Sequence, residues 1–454
     1  MLSFIQKKLG SLVRSTWAEE VQHQGVLTRL FRDYYDGNHR ARLEPHMKEM
    51  LRVSGEELDQ FNINYCPTVV QSMSDRLTVT TIEGGTVDAS MWAADVLDFN
   101  RMDGLQMDVH EAVLRDGVTF VMVAYDNERR MPLIAHELAW DGDVGMIAIK
   151  DRTGKQIVAA AKAWYEGEEK RVNLYLPDAL EKYRWANGAL TPIEDRAPWV
   201  TRTGAPIGVP IIEFSNKRSE LSQVIPMQDA LNRTLVSMVM TGELTAFQIR
   251  IALGFNPPAK VTPGMWVVIG KEGLTKDQLV DAKVLEQGQI VPFINQAEFL
   301  INQIATVTRT PIPAAMGGDN ASGESLKQRE VGLLGKIRRF HVRGGNSWED
   351  VMSMAARLQS AFGTTQPPAT DRWWTRWEDA ELRNDSEIIA NANAVRELVG
   401  DRETLRLVAN VYDYDDTDID RILDERAAQT VSALNALMAN QPRFDAIGAS
   451  VDGS

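Results

Sequence analysis

Apolar positions recur at helical spacing over residues 16–36, at Trp17, Val21, Leu27, Leu30 and Phe31, and an Asp36-Gly37 turn signal closes the run. Pro67 suits the first turn of a helix reaching Leu77, and Thr78-Val-Thr-Thr-Ile reads as a short strand. Helices are predicted over 88–99 and 104–116, the second stopped by Gly117. From 118 to 215 the period shortens. Strands are expected at Thr119–Tyr125, Gly145–Lys150, Ile157–Tyr165, Val172–Leu176 and Val209–Phe214, separated by Asp141-Gly142, Thr153-Gly154, Glu166-Gly167 and Asn187-Gly188. This pattern predicts a mostly antiparallel sheet region on a helical layer, an α+β arrangement.

The middle of the chain changes character again. Pro226 opens a helical pattern that holds to Leu253, roughly 42 Å at 1.5 Å per residue. Leu231, Leu235, Met238, Gly242, Thr245, Ile249 and Ala252 form a seam with a 3.5-residue period, the spacing at which helices lie along one another. Only Asp229, Arg233, Glu243 and Arg250 are charged in this stretch, so neighbours are expected to cover several of its faces. A core helix of a large domain satisfies the same pattern. Next comes a Pro/Gly-punctuated excursion: Pro257-Pro258, Pro263-Gly264, a strand at Met265–Ile269, a short charged helix around Leu274–Asp281 and a strand at Gln289–Phe293. Residues 296–308 return as helix through Phe299, Leu300, Ile304 and Val307.

A Gly-rich loop from Met316 to Gly323 then feeds a helix over 322–362, with Gly344-Gly345 as a candidate break. Trp373-Trp-Thr-Arg-Trp reads as a strand, and helices are expected at 384–399, 402–410 and 417–440.

Charge divides the chain unevenly. Among 454 residues the net charge is −14, which argues against a generally cationic nucleic-acid binder. The last 84 residues hold 18 acids against 9 bases, most of that surplus. Between Lys327 and Arg343 the sign inverts, with six Lys/Arg and one acid. Lys327, Arg329, Lys336, Arg338, Arg339 and Arg343 have two readings: pairing with abundant acidic neighbours, or approach to phosphates. The single cysteine, Cys66, lies in an apolar context and reads as a buried small hydrophobe, and one cysteine makes neither an internal disulfide nor a multi-cysteine zinc site. No apolar run reaches the roughly 18 residues of a membrane span. The first residues lack the apolar core and small-residue cleavage site of a signal peptide, which points to synthesis and assembly in a reducing cytoplasm.

Catalytic signatures fail when examined singly. Gly264 to Gly270-Lys271 has glycine spacing one residue too long for a phosphate loop, and Glu272 stands where Ser or Thr is needed. His110-Glu111 and His136-Glu137 lack a second histidine four residues on. The acidic run from Asp413 lacks the glycine of a calcium loop, with Asp424 where its bidentate Glu belongs, and reads as a solvated helix start. No metal or cofactor is therefore expected. A phosphate- or nucleotide-handling enzyme using Gly317–Ser325 and the following basic helix is the alternative function, though it lacks a general base and a metal cluster. A cytoplasmic oligomeric scaffold without DNA is a third reading.

The order and spacing of four segments carry a resemblance: Gly208-Val-Pro-Ile-Ile-Glu-Phe-Ser-Asn, Ser219 to Asn232, Thr241 to Gly254, and Asn320-Ala-Ser-Gly-Glu-Ser-Leu-Lys. From about Tyr34 to Arg426 the chain resembles the portal proteins of long-tailed bacteriophages. The resemblance implies a non-enzymatic ring, usually a dodecamer, at one capsid vertex of the virion, through which double-stranded DNA is packaged and ejected. It implies a wing (1–218 and 326–380), two stem helices (219–254 and 295–310), a clip (255–294), a tunnel loop (311–325) and a helical crown (381–454). Met316, Gly317, Gly318, Asp319 and Asn320 would then lie in the tunnel loop. Leu231, Leu235, Met238, Gly242, Thr245 and Ile249 would pack the stem, and Lys271, Glu272, Lys276 and Asp277 would dock partners at the clip. The implied partners are further copies of the chain, the terminase large subunit, a head–tail adaptor, and the major capsid and scaffold proteins, with no membrane.

Overall fold

The computed structural model describes residues 1–10, 13–39, 45, 63–151, 153–154, 156–246, 250–253, 266–269, 281–284, 289–312, 323–381, 385–412, 414 and 416–439. The chain divides into two compact units, Met1–Ala380 and Glu381–Ser454.

The first unit begins with helices α1 (Leu2–Leu9), α2 (Trp17–Tyr35) and α3 (Cys66–Ser74), then strand β1 (Val79–Gly84) and helices α4 (Val87–Phe99) and α5 (Met102–Asp116). Thr86 caps α4 by accepting from the Ala89 amide, and Gly117, at φ 85°, ends α5 in the left-handed region. A Cβ on Gly117 would lie 2.7 Å from the Ser219 amide nitrogen, so glycine is required twice over there.

Strands β2 (Val118–Asp126) and β3 (Met131–Glu137) form a hairpin, and β10 (Ile211–Ser215) joins the other edge of β2, giving a three-stranded antiparallel sheet. Between them lie β4 (Gly145–Lys150), β5 (Ile157–Glu166), β6 (Glu169–Tyr175), β7 (Ala179–Ala186), β8 (Ala189–Pro192) and the short β9 (Ala197–Pro198) in a second sheet, with β9 paired to β7. The α+β class read from the sequence stands. Asn187-Gly188 turns β7 into β8 with both residues at positive φ, 51° and 77°, as a two-residue hairpin demands. The flanks of that turn signal are β7 and β8, although charged Glu181, Lys182 and Arg184 interleave β7, whereas β3, interrupted by Pro132, carried no signal of its own.

Two cores result. Leu2, Ile5 and Leu9 of α1 pack on Ile147, Ile149, Ala161, Val172 and Leu174 of the larger sheet. The main core gathers α2 to α5, the three-stranded sheet and the helices that follow. Cys66 belongs to it, fully buried, and burial pushes its thiol up to about 12, as expected of an inert core cysteine.

Helix α6 (Val224–Ala246) is followed by β11 (Arg250–Leu253), β12 (Trp266–Ile269) and β13 (Asp281–Val284), then α7 (Val291–Thr308), the 40-residue α8 (Gly323–Phe362) and β14 (Trp373–Trp377). Three expectations need correction. The first long helix stops at Ala246: Arg250–Leu253 is a central strand, parallel to β12 and antiparallel to β13, so sheet pairing overrides the helical period that Ala252 happened to continue. Gln289–Phe293 is not a strand, because α7 starts at Val291 with Pro292 in its first turn, where a missing amide costs nothing. Consequently the 255–294 excursion loses its last residues to α7 and gains β11. The helix predicted around Leu274–Asp281 lies outside the described residues except for Asp281, which is strand.

The third correction is that α8 runs unbroken through Gly344-Gly345. Both glycines are there for space. A Cβ on Gly344 would lie 2.8 Å from the Phe340 ring, and one on Gly345 would lie 3.3 Å from Trp377 Nε1. The space at Gly345 admits Trp377 of β14, which pairs antiparallel with β1.

In the second unit, α9 (Asp385–Tyr412) carries a corner at Gly400, φ 81° and ψ 168°, dividing it where two helices were expected. Helix α10 (Asp416–Ala439) completes the unit, with Arg402 paired to Asp420 at 2.8 Å and Arg396 to Asp401 at 2.6 Å.

Candidate functional site

The chain goes out along α6 and returns along α7, with the β11–β13 sheet between them in sequence. The two helices pack antiparallel: a Cβ on Gly242, near the end of α6, would sit 3.8 Å from Ile290 Cδ1 at the start of α7. That is an ordinary contact, so Gly242 does not itself enforce close approach. Leu231 and Leu235 are buried in the main core and Met238 packs against it, as do Ala297 and Ile304 from α7. Thr245 is helical, whereas Ile249 lies outside the described residues.

Buried amides on α6 went unread in the sequence. Gln228 accepts from the Tyr65 amide at 3.0 Å and donates to the Ile63 carbonyl, while Asn232 accepts from the Ile63 amide at 3.1 Å. Gln228 also donates to Asn232 Oδ1 at 3.2 Å. Tyr34 donates to Asp229 at 2.6 Å. A helix poor in charge but carrying Gln and Asn four residues apart was the available signal. These amides satisfy the backbone of the segment leading into α3 where apolar side chains would leave it unpaired.

The outward side of α7 carries Asn295, Glu298, Asn302 and Thr306, all exposed, and the helix contains no Lys or Arg. Helix α8 crosses the inner end of the pair. Lys336 places its ammonium 2.5 Å from Glu220 Oε2 and donates to the Thr308 carbonyl at 2.9 Å, tying α8 to both α7 and the start of α6. Both side chains of the pair are largely covered. Lys336→Met should therefore lower stability by about 2 kcal/mol, the loss of charge-assisted hydrogen bonds around a covered carboxylate. Denaturant midpoints of the two proteins check this. Arg338, Arg339 and Arg343 have no ion-pair partner among the described residues. The basic stretch is thus divided, one member paired as the first reading held and three left over. The side chains of Lys327 and Arg329 lie outside the described residues, as do Met316, Gly317, Gly318, Asp319, Asn320, Lys271, Glu272, Lys276 and Asp277.

Among the described residues, no group of three or more His, Cys, Asp or Glu could hold a metal ion, and no helix is long and apolar enough to cross a membrane. The described architecture is a helix pair that leaves and returns, braced by a long helix on an α+β body. The family model for "Phage portal protein, SPP1 Gp6-like" matches residues 26–431, and the chain belongs to that family. It is similar to the portal protein of Mycobacterium phage D29, at 25% identity over 75% of this chain and 73% of that protein. It is likewise similar to the portal protein of Mycobacterium phage L5, at 23% identity over 84% of this chain and 82% of that protein. Its function is that of a phage portal, a structural component of the virion capsid, and the nucleotide-enzyme reading finds no support.

Proposed function

We propose that copies of this chain close into a ring, as a dodecamer, at one capsid vertex, and that duplex DNA passes through the bore during packaging and ejection without catalysis by the ring. ATP hydrolysis belongs to the terminase, whose large subunit docks first at the clip, to be followed by a head–tail adaptor. The major capsid and scaffold proteins surround the wing during assembly in the host cytoplasm. Helices α6 and α7 are the stem, the β11–β13 segment the clip with Lys271, Glu272, Lys276 and Asp277 as docking residues, Met316–Asn320 the tunnel loop, and the Glu381–Ser454 unit the crown.

The observation that carries this reading is the antiparallel α6–α7 pair with a small sheet between its arms. Closing a ring needs a head-to-tail interface whose rotation closes, and long, sparsely charged helices suit it. The absence of bases from α7 fits sliding DNA, because each phosphate held by Lys or Arg adds salt-dependent grip. Negative-stain microscopy of the purified protein tests the reading: annular particles with an open bore are expected. A monomer at high concentration, or an annulus plugged by side chains, would overturn it.

A further inference from the structure

Beside the Lys336–Glu220 pair lies a cleft of about 390 Å³ whose wall is strongly positive. Lys217 and Arg218 come from the turn between β10 and α6, Arg309 from the end of α7, and Lys336, Arg339 and Arg343 from one face of α8 at i, i+3 and i+7 spacing. Glu220 is the one acid lining the cleft, and it is already engaged: Oε2 takes Lys336 and Oε1 accepts from Asn216 Nδ2 at 2.9 Å. The other five cations have no ion-pair partner among the described residues. Lys217 and Arg309 also occupy left-handed backbone, φ 67° and 58°, where glycine would be at ease. Gly332 leaves room for the Arg309 side chain, since a Cβ there would lie 3.3 Å from Arg309 Cβ and Cδ. Three separate segments thus converge unanswered positive charge on one concavity of a chain with net charge −14.

We infer that this cleft is a phosphate-binding site. Guanidinium groups match phosphate oxygens bidentately, lysine adds point charge, and the cleft is of ligand size. Two sources present that chemistry, the backbone of duplex DNA and a free phosphate or nucleotide. The DNA source rests on the conduit reading above; the free source stands without it.

The test uses the full chain in whatever assembly it forms. Binding of a short duplex, of ATP and of inorganic phosphate is measured by anisotropy and calorimetry across a salt series. The proteins compared are wild type, Arg339→Gln/Arg343→Gln, and Arg338→Gln, whose exposed side chain does not line the cleft. The double variant should flatten the slope of log K against log salt by about 1.8, equivalent to about a tenfold smaller affinity loss between about 50 and 200 mM salt, while Arg338→Gln leaves it unchanged. Duplex binding alone assigns the DNA backbone as the source; variant-sensitive ATP or phosphate binding assigns the free ligand. The inference is overturned if no probe binds, if the double variant binds like wild type, or if that variant loses assembly with phosphate binding intact, which would make the cleft a seat for a second copy's carboxylates. Variant-sensitive phosphate binding by a protein that forms no ring would leave the cleft assigned and remove the conduit reading.

Discussion

Trp348→Ala is expected to destabilise the Met1–Ala380 unit by about 5 kcal/mol. Trp348 is fully buried at the middle of α8, with the Phe214 ring of β10 at 4.7 Å and a T-shaped angle of 65°. Its Nε1 donates to His110 Nε2 at 3.0 Å, and His110 Nδ1 lies 2.7 Å from the Leu77 carbonyl. These partners fix the tautomer: Nδ1 carries the proton and donates to Leu77, and Nε2 accepts from the indole. Truncating a buried aromatic to alanine costs about 3–5 kcal/mol through lost burial and the cavity left behind. Leaving His110 Nε2 buried without a donor adds about 1–3 kcal/mol. Trp348→Phe keeps most of the volume but loses the donor, so about half the effect is expected. Trp374→Ala, at a residue 38% exposed on the adjacent strand, should stay within about 0.5 kcal/mol. Denaturant midpoints read by circular dichroism check all three, and equal shifts for Trp348→Ala and Trp374→Ala would remove Trp348 from the centre of the core.

The second large effect is acid sensitivity. Burial pushes His110 down to about 3, with the Leu77 hydrogen bond opposing and His341 adding to the fall; burial alone pushes His341 down to about 4. Both values lie below the ordinary 6.5, so the folded chain binds fewer protons than the unfolded one as pH falls. Their contribution is therefore complete above about pH 6.5 and declines below it, ending for His341 near pH 4 and for His110 near pH 3. Each histidine costs about 1.4 kcal/mol per pH unit inside its window. Carboxylates held low by cations, such as Asp143 beside Lys170, slope the same way, so the variant matters more than the absolute curve. His341 stacks on Trp377 at 4.5 Å and 11°, and His341→Phe preserves the ring while removing its proton. Stability measured at pH 7, 6 and 5 should fall less steeply for His341→Phe, with the difference small between pH 7 and 6 and approaching about 1.4 kcal/mol between pH 6 and 5; parallel curves would show that this imidazole does not titrate between the two states.

Much of this architecture was legible because local signals agreed with tertiary pairing. Gly117, Asn187-Gly188 and Pro67 punctuate where the chain in fact turns or starts a helix, and the expected strand Gly145–Lys150 matches β4 to the residue. Legibility failed where a segment satisfied two periods. Ala252 continues the helical seam arithmetically, but the pairing partners of β11 lie at Trp266–Ile269 and Asp281–Val284, too distant in sequence for any local pattern to show. Glycines 344 and 345 read as a break because propensity is local, whereas Gly344 makes room for the Phe340 ring and Gly345 for Trp377, more than thirty residues on. At the site, the excess of bases in α8 was visible. That Lys336 would be claimed by Glu220, while Arg339 and Arg343 meet Lys217 and Arg309, depended on bringing three remote segments together.

The glycine pair in α8 has a mechanical corollary. Forty residues make a rod of about 60 Å, and a rod of that length transmits displacement from one end to the other only if its middle does not yield. Two adjacent glycines weaken that middle by about 2 kcal/mol relative to alanine. The docked Trp377 and Thr375 stand beside that weak point, with Thr375 donating to the Gly345 carbonyl at 3.1 Å. The stiffness of α8 at that point therefore rests on the seated β1–β14 ribbon as well as on the helix itself.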